Sequence, residues 1–202
     1  MTLSWFSPRS GVDHVDVPLA GGSAALRPLR HGETVPLLSV FERLSPASRA
    51  SRYLVGMPRL PSPMRDLLVA VDDCDHVAWL ATVDGAPAGI ARYVRVAPDT
   101  AEVAFEVVDA HHGRGLGTAL LDVVTTVAQA RGVRRVRATV LPTNAPSLRL
   151  LARLGIPLSA SDGVLEGESA LRLLDPARVD RGAVLALAMR RTTGQDGSCT
   201  GA

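Results

Sequence analysis

The sequence contains no lysine: its 22 basic side chains are all arginine, and they face 20 acidic ones. The phosphate-binding loop of nucleoside triphosphatases ends in Gly-Lys-Ser/Thr, so the absence of lysine excludes that class of site. The net charge of +2 is too balanced to indicate binding to nucleic acid. We therefore predict no nucleic-acid partner.

Cysteines, aromatic residues and long apolar runs are also scarce. Cys74 and Cys199 are the two cysteines, too few for a disulfide framework or a set of metal ligands. No apolar run approaches the roughly 18 residues that span a membrane, and the N-terminus lacks the pattern of a secretory signal. These absences predict a cytoplasmic protein with no membrane partner. Aromatic residues make up 3% of the chain, so its core has to consist of valine, leucine and alanine.

Local patterns predict a mixed α/β (α+β) fold with a mostly antiparallel meander followed by a strand–helix–strand–helix order. Strands are predicted at 23–30, 76–83, 88–96, 102–108 and 133–141, with a final hairpin within 157–175. Helices are predicted at 31–44, 45–54 and 62–71, after the glycines that follow 108, and after 144. The chain divides into an N-terminal extension (1–22), a central domain (23–175), a C-terminal helix (176–191) and a disordered tail (192–202).

A glycine-rich turn lies between the strand at 102–108 and the helix that follows it. The segment His111–Leu121 reads HHGRGLGTALL. Unpaired backbone N–H groups and the helix dipole make such a helix start a binding site for phosphate. The spacing does not match the Gly-x-Gly-x-x-Gly fingerprint of dinucleotide-binding folds. A turn without a ligand is the alternative.

HHGRGLGTALL resembles the acyl-CoA-binding signature of the GNAT N-acetyltransferases, Gln/Arg-x-x-Gly-x-Gly/Ala at the start of a helix. Further segments resemble that family in the same order: LRPLR, FERLSPASR, HVAWLATVDGAPAGIARYV, AEVAFEVV and NAPSLRLLARLGI. Within the family, FERLSPASR and AEVAFEVVDAHHGRGLG resemble bacterial protein-lysine acetyltransferase domains. The resemblance implies a sheet flanked by helices, in which two splayed central strands form the acyl-CoA cleft.

The resemblance also implies acetyl-CoA as the acyl donor and a set of residues that bind it. The backbone near Val107 and Val108 would polarise the thioester carbonyl, and the glycine turn would hold the pyrophosphate. The implied cofactor-binding residues are Val107, Val108, His112, Gly113, Arg114, Gly115, Leu116, Gly117, Thr118 and Asn144. Asn144 is alternatively only a helix N-cap. Arg134, Arg135 and Arg137 form either a solvated edge or a contact to the 3′-phosphate.

The acceptor implied by the family is a primary amine, on a protein lysine or a small molecule. An alkyl ammonium has a pKa of about 10.4 and has to lose a proton before it attacks. Glu102 matches the family's catalytic glutamate on the strand, and Glu106, on the same face, is the second candidate for the general base. The alternative is that either glutamate is a solvated or salt-bridged strand residue. Because the protein has no lysine, it cannot acetylate its own side chains.

Two departures from the family pattern bear on activity. Leu151 occupies the position where many members have a tyrosine that protonates the leaving thiolate, and His112 replaces the usual Gln or Arg. A non-catalytic acyl-CoA-binding regulatory module is therefore the alternative function, with an unrelated phosphate-binding domain a third. His111 and His112 lack a third ligand in the sequence, so no metal site is predicted. The extension and the C-terminal helix are compatible with packing in a homodimer.

Overall fold

The computed structural model describes residues 13–192, with side chains to residue 190. Residues 1–12 of the predicted extension, residues 193–202 of the predicted tail, and therefore Cys199, lie outside the described residues. Over the described range no helix is both long enough and apolar enough to cross a membrane.

Eight strands of the described chain form one sheet in the order β1-β2-β3-β4-β5-β6-β8-β7. The strands are β1 (Val15–Leu19), β2 (Gly22–Pro28), β3 (His76–Val83), β4 (Ala86–Ala97), β5 (Thr100–Val107), β6 (Arg135–Val140), β7 (Ser159–Ser161) and β8 (Val164–Ala170). All neighbouring strands are antiparallel except β5 and β6, which are parallel. This mixed, mostly antiparallel sheet agrees with the predicted fold class.

Six α-helices accompany the sheet within the described residues. They are α1 (Thr34–Arg43), α2 (Pro46–Tyr53), α3 (Ser62–Val69), α4 (Leu116–Ala130), α5 (Ala145–Arg153) and α6 (Arg181–Thr192). A short 3-10 helix at Asp109–His111 precedes the glycine turn.

Local sequence signals explain where several of these elements begin and end. The Oγ of Ser45 accepts a hydrogen bond from the backbone N–H of Ser48 at 3.2 Å, and Pro46 is the first residue of α2. This is the capping pattern that a Ser-Pro pair favours at a helix start. Asp84 and Gly85 both have positive φ, at 50° and 76°. Such a pair forms the tight hairpin turn that an Asp-Gly dipeptide favours, and it joins β3 to β4.

The two faces of the sheet bury separate apolar clusters. The larger cluster lies under α4 and α6, and the smaller one lies under α1 and α3. β5 contributes to both, because successive side chains of a strand point to opposite faces. Val103 packs in the larger cluster, whereas Val108, just beyond the strand, packs in the smaller one. The predicted alternation along this strand is therefore present.

The parallel pair β5 and β6 separates soon after it forms. Thr100, Ala101 and Glu102 pair with Arg135, Val136 and Arg137, and no later residue of β5 pairs with β6. β6 instead pairs along its whole length with β8 on its other side. The two strands therefore diverge beyond Glu102 and open a gap in the middle of the sheet.

The N-terminal segment contributes a strand to this sheet. β1 lies within the range predicted as an extension, and it pairs with β2 from Val15 opposite Leu26 to Leu19 opposite Gly22. Its alternate residues are buried in the larger cluster. The division of the chain at residue 22 thus remains a prediction, although this strand is part of the sheet.

The C-terminal helix begins later than predicted, at Arg181 instead of residue 176. The Oδ1 of Asp180 accepts a hydrogen bond from the backbone N–H of Ala183 at 3.0 Å, so Asp180 caps the helix. The preceding residues are held away from a helical path by Asp122 on α4. Asp122 is fully buried, and its Oδ2 accepts the backbone N–H of Arg178 at 2.6 Å.

Asp122 also binds α6 directly. Its Oδ1 accepts two hydrogen bonds from the guanidinium of Arg181, at 3.1 Å from Nε and 2.6 Å from Nη2. Replacing one member of a buried ion pair leaves the other charge uncompensated. The C-terminal segment is therefore attached to α4 by a buried charge and by apolar contacts.

We expect Asp122→Ala to lower the free energy of unfolding by about 3 kcal/mol, because it leaves the guanidinium and a backbone N–H without their acceptor. Urea unfolding followed by circular dichroism measures this change. Asp66→Ala is the control, since Asp66 forms an exposed ion pair with Arg65. This substitution should lower the free energy of unfolding by less than about 1 kcal/mol. Equal losses in the two variants would contradict a stabilising role for the buried carboxylate.

Candidate active site

A cleft of about 740 Å³ lies where the gap between β5 and β6 meets the start of α4. Its walls come from the glycine turn, the end of β5, α2 and the first turns of α5. A smaller pocket of about 90 Å³ lies deeper in the gap between the two strands. The two share Ser51, Arg52, Phe105, Asn144 and Ser147 as lining residues, so they form one continuous site.

The glycine turn has the backbone of an anion-binding loop. Gly113 and Gly115 have φ of 72° and 93°, values that other residues rarely adopt. Gly115 is the N-cap of α4 and has no side chain to satisfy the first N–H groups of the helix. A Cβ at Gly117 would lie 3.3 Å from Leu150 and 3.7 Å from Val107, both of which line the cleft. The turn therefore suits a phosphate group that needs close approach to the backbone.

His112, Leu116 and Thr118 line the cleft together with these glycines. The Nε2 of His112 donates a hydrogen bond to the carbonyl oxygen of Val107 at 2.8 Å. This bond joins the turn to the end of β5. His112 thus holds the turn in place through its ring, in a position where the family usually has Gln or Arg.

Val107 and Val108 differ in their availability to a ligand. The N–H of Val108 donates to the carbonyl of Ala88 on the β4 side at 2.9 Å, and its side chain is buried in the smaller cluster. Because successive residues of a strand point their N–H groups to opposite sides, the N–H of Val107 points into the gap. The structure therefore brings Val107 to the cleft and keeps Val108 out of it.

Arg114 also lies outside the cleft walls. Its Nε donates to the carbonyl of Ala20 at 2.8 Å, and its Nη2 donates to the carbonyl of Gly21 at 2.7 Å. A third contact joins its Nη1 to the Nδ1 of His111 at 3.0 Å. The arginine of the glycine motif thus connects the β1–β2 turn to the glycine turn.

Asn144 is both an N-cap and a wall of the site. Its Oδ1 accepts a hydrogen bond from the backbone N–H of Ser147 at 3.2 Å, the predicted capping role. It also lines both pockets. The contact with a cofactor stays a prediction.

Glu102 lies at the point where β5 and β6 diverge. It lines the smaller pocket, and its Oε2 accepts a hydrogen bond from Nη2 of Arg137 at 3.0 Å. Its side chain is 37% exposed, so water reaches the carboxylate. Leu151 forms part of the wall of the same pocket and is buried. The apolar replacement for the family's tyrosine therefore lies at the site.

Glu106 lines the larger cleft in a buried environment. The residue is 5% exposed, and its Oε2 accepts a hydrogen bond from the hydroxyl of Tyr53 at 3.0 Å. The Nε of Arg52 lies 3.6 Å from the same oxygen. Its Oε1 has no hydrogen-bond partner among the described residues. Burial, and then the charge of Glu106, raise the pKa of Tyr53, so its hydroxyl stays protonated as a donor.

A buried arginine on the neighbouring strand β4 extends this charged cluster along the same face of the sheet. Burial, followed by the positive charge of Arg52, lowers the pKa of Arg92 to about 10, so Arg92 remains charged at neutral pH. Its Nη1 donates to the carbonyl of Leu68 at 2.6 Å and lies 3.3 Å from Nε2 of His76. Burial and then Arg92 lower the pKa of His76 to about 4. His76 is therefore neutral and accepts a hydrogen bond from the guanidinium.

Asp109 is a site residue that the sequence patterns did not single out. Its carboxylate accepts the backbone N–H of Ser45 at 2.9 Å, the hydroxyl of Ser45 at 2.7 Å and the hydroxyl of Ser48 at 2.8 Å. Partial burial opposes ionisation, but these hydrogen bonds outweigh it and lower the pKa of Asp109. The start of α2 is thus attached to the segment before the glycine turn. The only sequence signal was an aspartate directly before that turn.

The arginines near β6 are directed away from the larger cleft. Arg135 forms an ion pair with Glu168 at 2.6 Å, and Arg137 pairs with Glu102. Neither these two nor Arg134 lines the larger cleft, whereas Arg149 and Arg153 of α5 do. The geometry therefore favours the interpretation of residues 134–137 as a solvated edge.

Comparison with known proteins identifies the family and the fold. The sequence pattern of the acetyltransferase (GNAT) family matches residues 39–156. The chain belongs to the GNAT family. The described chain is thus a GNAT acetyltransferase domain, and the matched residues include the glycine turn at the start of α4.

Several relatives show how far the similarity extends. Acetyltransferase Pat of Mycolicibacterium smegmatis is 38% identical over 95 residues, which are 45% of this chain and 28% of that protein. This chain therefore spans less than a third of that relative. The GNAT domain of Streptomyces lividans PAT is 35% identical with a TM-score of 0.73, over 78% of this chain and 97% of that domain.

A more distant structure shows the fold alone. The PaiA N-acetyltransferase from Thermoplasma acidophilum, whose structure contains coenzyme A, is 13% identical with a TM-score of 0.60 over 73% of this chain and 98% of its own.

The predicted family, fold class and enzyme class, N-acetyltransferase, are confirmed. Acetyl-CoA is the acyl donor of this family, so the predicted cofactor is confirmed as well.

We expect Gly117→Glu to weaken the binding of acetyl-CoA at least tenfold more than Gly117→Gln, since a like charge beside a pyrophosphate is repelled. The glutamine variant has nearly the same size, so the comparison separates charge from steric effects. Isothermal titration calorimetry gives both dissociation constants. Unchanged binding in the glutamate variant would contradict a phosphate site at this turn.

The low pKa of His76 predicts a pH dependence of stability. Between pH 6.5 and about 4 the unfolded chain binds a proton at this residue and the folded chain does not, so stability falls as the pH falls. His76→Gln keeps a hydrogen-bond acceptor but cannot titrate. We expect its free energy of unfolding to decline less than that of the wild type across this window, as measured by urea unfolding at several pH values.

The control for that comparison is His14→Gln, because the side chain of His14 is 44% exposed. This variant should retain the wild-type dependence on pH. A wild-type decline that persists unchanged in His76→Gln would show that other groups cause it.

Proposed function

We propose that this domain transfers an acetyl group from acetyl-CoA to a primary amine, by direct attack, with Glu102 as the general base. The observation that carries the proposal is the divergence of β5 and β6. The gap has the glycine turn at its mouth and Glu102 at its closed end. A strand rises about 3.3 Å per residue, so the two ends lie about 17 Å apart along β5.

Acetyl-CoA supplies an activated thioester, and the chain positions it. The backbone N–H groups at the start of α4 would hold the pyrophosphate, with Gly113, Gly115 and Gly117 permitting close approach. The N–H of Val107 points into the gap and would donate a hydrogen bond to the carbonyl oxygen of the thioester. Such a fixed donor is most useful where negative charge develops during the attack.

Glu102 is the better candidate for the base because of its position and its access to water. It lies in the gap itself, at the last paired residue of β5. Because Glu102 lies about 17 Å along β5 from Val107, it would take the proton of the ammonium group through water in the gap and release it to solvent. Arg137 has to yield part of its contact when that proton arrives, which the exposure of both side chains permits.

Glu106 is better suited to positioning. Its Oε2 binds Tyr53 and lies near Arg52, the last two residues of α2. Asp109 holds the first turn of the same helix. Both ends of α2 are thus attached to the strand and turn that form the cofactor cleft, and α2 forms one wall of the acceptor side.

The thiolate would leave without help from a tyrosine. Leu151 supplies no proton at this wall, and a thiol with a pKa of about 8.5 is a moderately good leaving group as the anion. General-acid assistance is worth about 10²–10⁴-fold in rate. We therefore infer a functional enzyme whose rate is lower than one with such an acid.

Protein lysine is the acceptor class that we favour. The sequence segments at 41–49 and 101–117 resemble bacterial protein-lysine acetyltransferase domains, and the domain of Streptomyces lividans PAT aligns over almost its whole length. A small-molecule amine is the alternative acceptor. The absence of lysine in this chain makes the test simpler, because acetyl-lysine in an assay can come only from the added protein.

A non-catalytic acyl-CoA-binding module is the second candidate function. Two observations favour it: the ion pair that occupies Glu102 and the apolar side chain at Leu151. This module would bind acetyl-CoA in the same cleft without turnover. The following measurement separates the two functions.

We expect Glu102→Gln to lower kcat/KM for lysine peptides by about 10²–10³-fold while the dissociation constant of acetyl-CoA stays within about twofold. The defect should shrink as the pH rises toward about 10, where the amine loses its proton without a base. Thiol release from acetyl-CoA with lysine peptides and a panel of small amines provides the rates.

Glu168→Gln is the matched control, because Glu168 forms an equivalent ion pair with Arg135 near the same end of β6. It should retain wild-type rates. Tight binding of acetyl-CoA with no thiol release on any amine would favour the binding module. Loss of activity in Glu106→Gln but not in Glu102→Gln would transfer the role of base to Glu106.

A further inference from the structure

The segment before α6 brings a guanidinium to the glycine turn. The Nη2 of Arg178 lies 3.1 Å from the position that a Cβ on Gly115 would occupy, and its Cζ lies 4.0 Å from it. Gly115 lines the cleft and is the N-cap of α4. Arg178 lies 63 residues further along the chain than Gly115, outside the range matched by the family pattern, so the motif itself gives no sign of it.

The backbone of Arg178 is fixed while its side chain is uncommitted. Its N–H donates to the buried carboxylate of Asp122 at 2.6 Å, and the N–H of Val179 reaches the same oxygen at 3.3 Å. Asp122 follows Gly115 by seven residues, two turns of α4, so both lie on the same side of that helix. The guanidinium of Arg178 forms no hydrogen bond or ion pair with any described side chain, and the residue is exposed.

The arginine of the glycine motif cannot fill the same role. Arg114 uses its guanidinium to bind Ala20, Gly21 and His111. The family cofactor carries a pyrophosphate, and a phosphate oxygen is a strong acceptor for a guanidinium. Arg178 does not line the cleft itself, but its guanidinium lies beside Gly115 and is free to turn toward a phosphate group held by the glycine turn.

We propose that Arg178 is a cofactor-binding residue that contacts the pyrophosphate of acetyl-CoA from outside the glycine turn, and that Asp122 positions it. The proposal rests on the cofactor site of the proposed function and adds the C-terminal segment to that site. The segment at 175–181 is then part of the binding site, in addition to being a support for α6.

The test compares Arg178→Ala and Arg178→Gln with wild type in the binding of acetyl-CoA, CoA and dephospho-CoA by isothermal titration calorimetry. Both variants should bind all three ligands about five- to twentyfold more weakly, because the pyrophosphate is common to them. The difference in dissociation constant between the variants and wild type should narrow as the salt concentration rises from about 0.1 M to about 1 M, because screening shortens the range of charge interactions. Arg190→Ala, which removes the same charge from α6, should bind as wild type.

Three results would overturn the proposal. They are unchanged dissociation constants in both Arg178 variants, an equal loss in Arg190→Ala, and a loss that disappears with dephospho-CoA, which would assign Arg178 to the 3′-phosphate. Circular dichroism and the melting temperature establish that the variants remain folded; the side chain of Arg178 is exposed, so its replacement leaves the bond from its backbone to Asp122 in place.

Failure of the Arg178 proposal is distinguishable from failure of the proposed function. Thiol release by wild type with an amine tests the function, and it does not depend on the binding comparison. Wild type that binds acetyl-CoA without turnover would contradict the proposed transfer to an amine, and the titration would still decide the role of Arg178. Normal turnover with unaltered binding in the Arg178 variants would remove only the present inference.

Discussion

The separation of two parallel strands is the constraint on which the site depends. β5 pairs with β6 only as far as Glu102, and β6 is then held by β8 instead. A strand edge within a sheet leaves backbone donors and acceptors without partners. Since the N–H groups of β5 alternate in direction, the one on Val107 points into the gap while that on Val108 is bonded to Ala88. The same divergence thus creates the space, the exposed donor and the position of the glutamate.

Buried or partly buried carboxylates fix the helices around this gap. Asp109 holds the start of α2, Glu106 holds its end, and Asp122 holds the segment before α6. Each accepts hydrogen bonds from a segment distant from it in the sequence, and each lies on or next to an element that lines the cleft. An ionised carboxylate in such a place is stable only when its partners are correctly oriented. The hydrogen bonds of these three carboxylates therefore hold α2, the glycine turn and the C-terminal segment in fixed positions relative to one another.

The sequence predicted much of the fold and the turn, because those features depend on local patterns. Alternation along the strands, the Ser45–Pro46 pair and an Asp-Gly turn mark most elements near their observed bounds. The start of α6 was wrong, since a capping aspartate at Asp180 competes with the one at Asp175, and Asp122, 58 residues away from Asp180, decides between them. The direction of Arg114 was equally inaccessible, because its partners lie on the β1–β2 turn.

The sequence by itself determined the family, the glycine turn and the candidate glutamates, because each is expressed in a contiguous motif or a strand period. Only the tertiary structure decided which of those residues meet. It placed Glu102 in the gap beside Leu151, committed Glu106 to α2, and brought Arg178 to Gly115 from the far end of the domain. These relations depend on strand register and on long-range hydrogen bonds, and neither leaves a periodic signal in the chain.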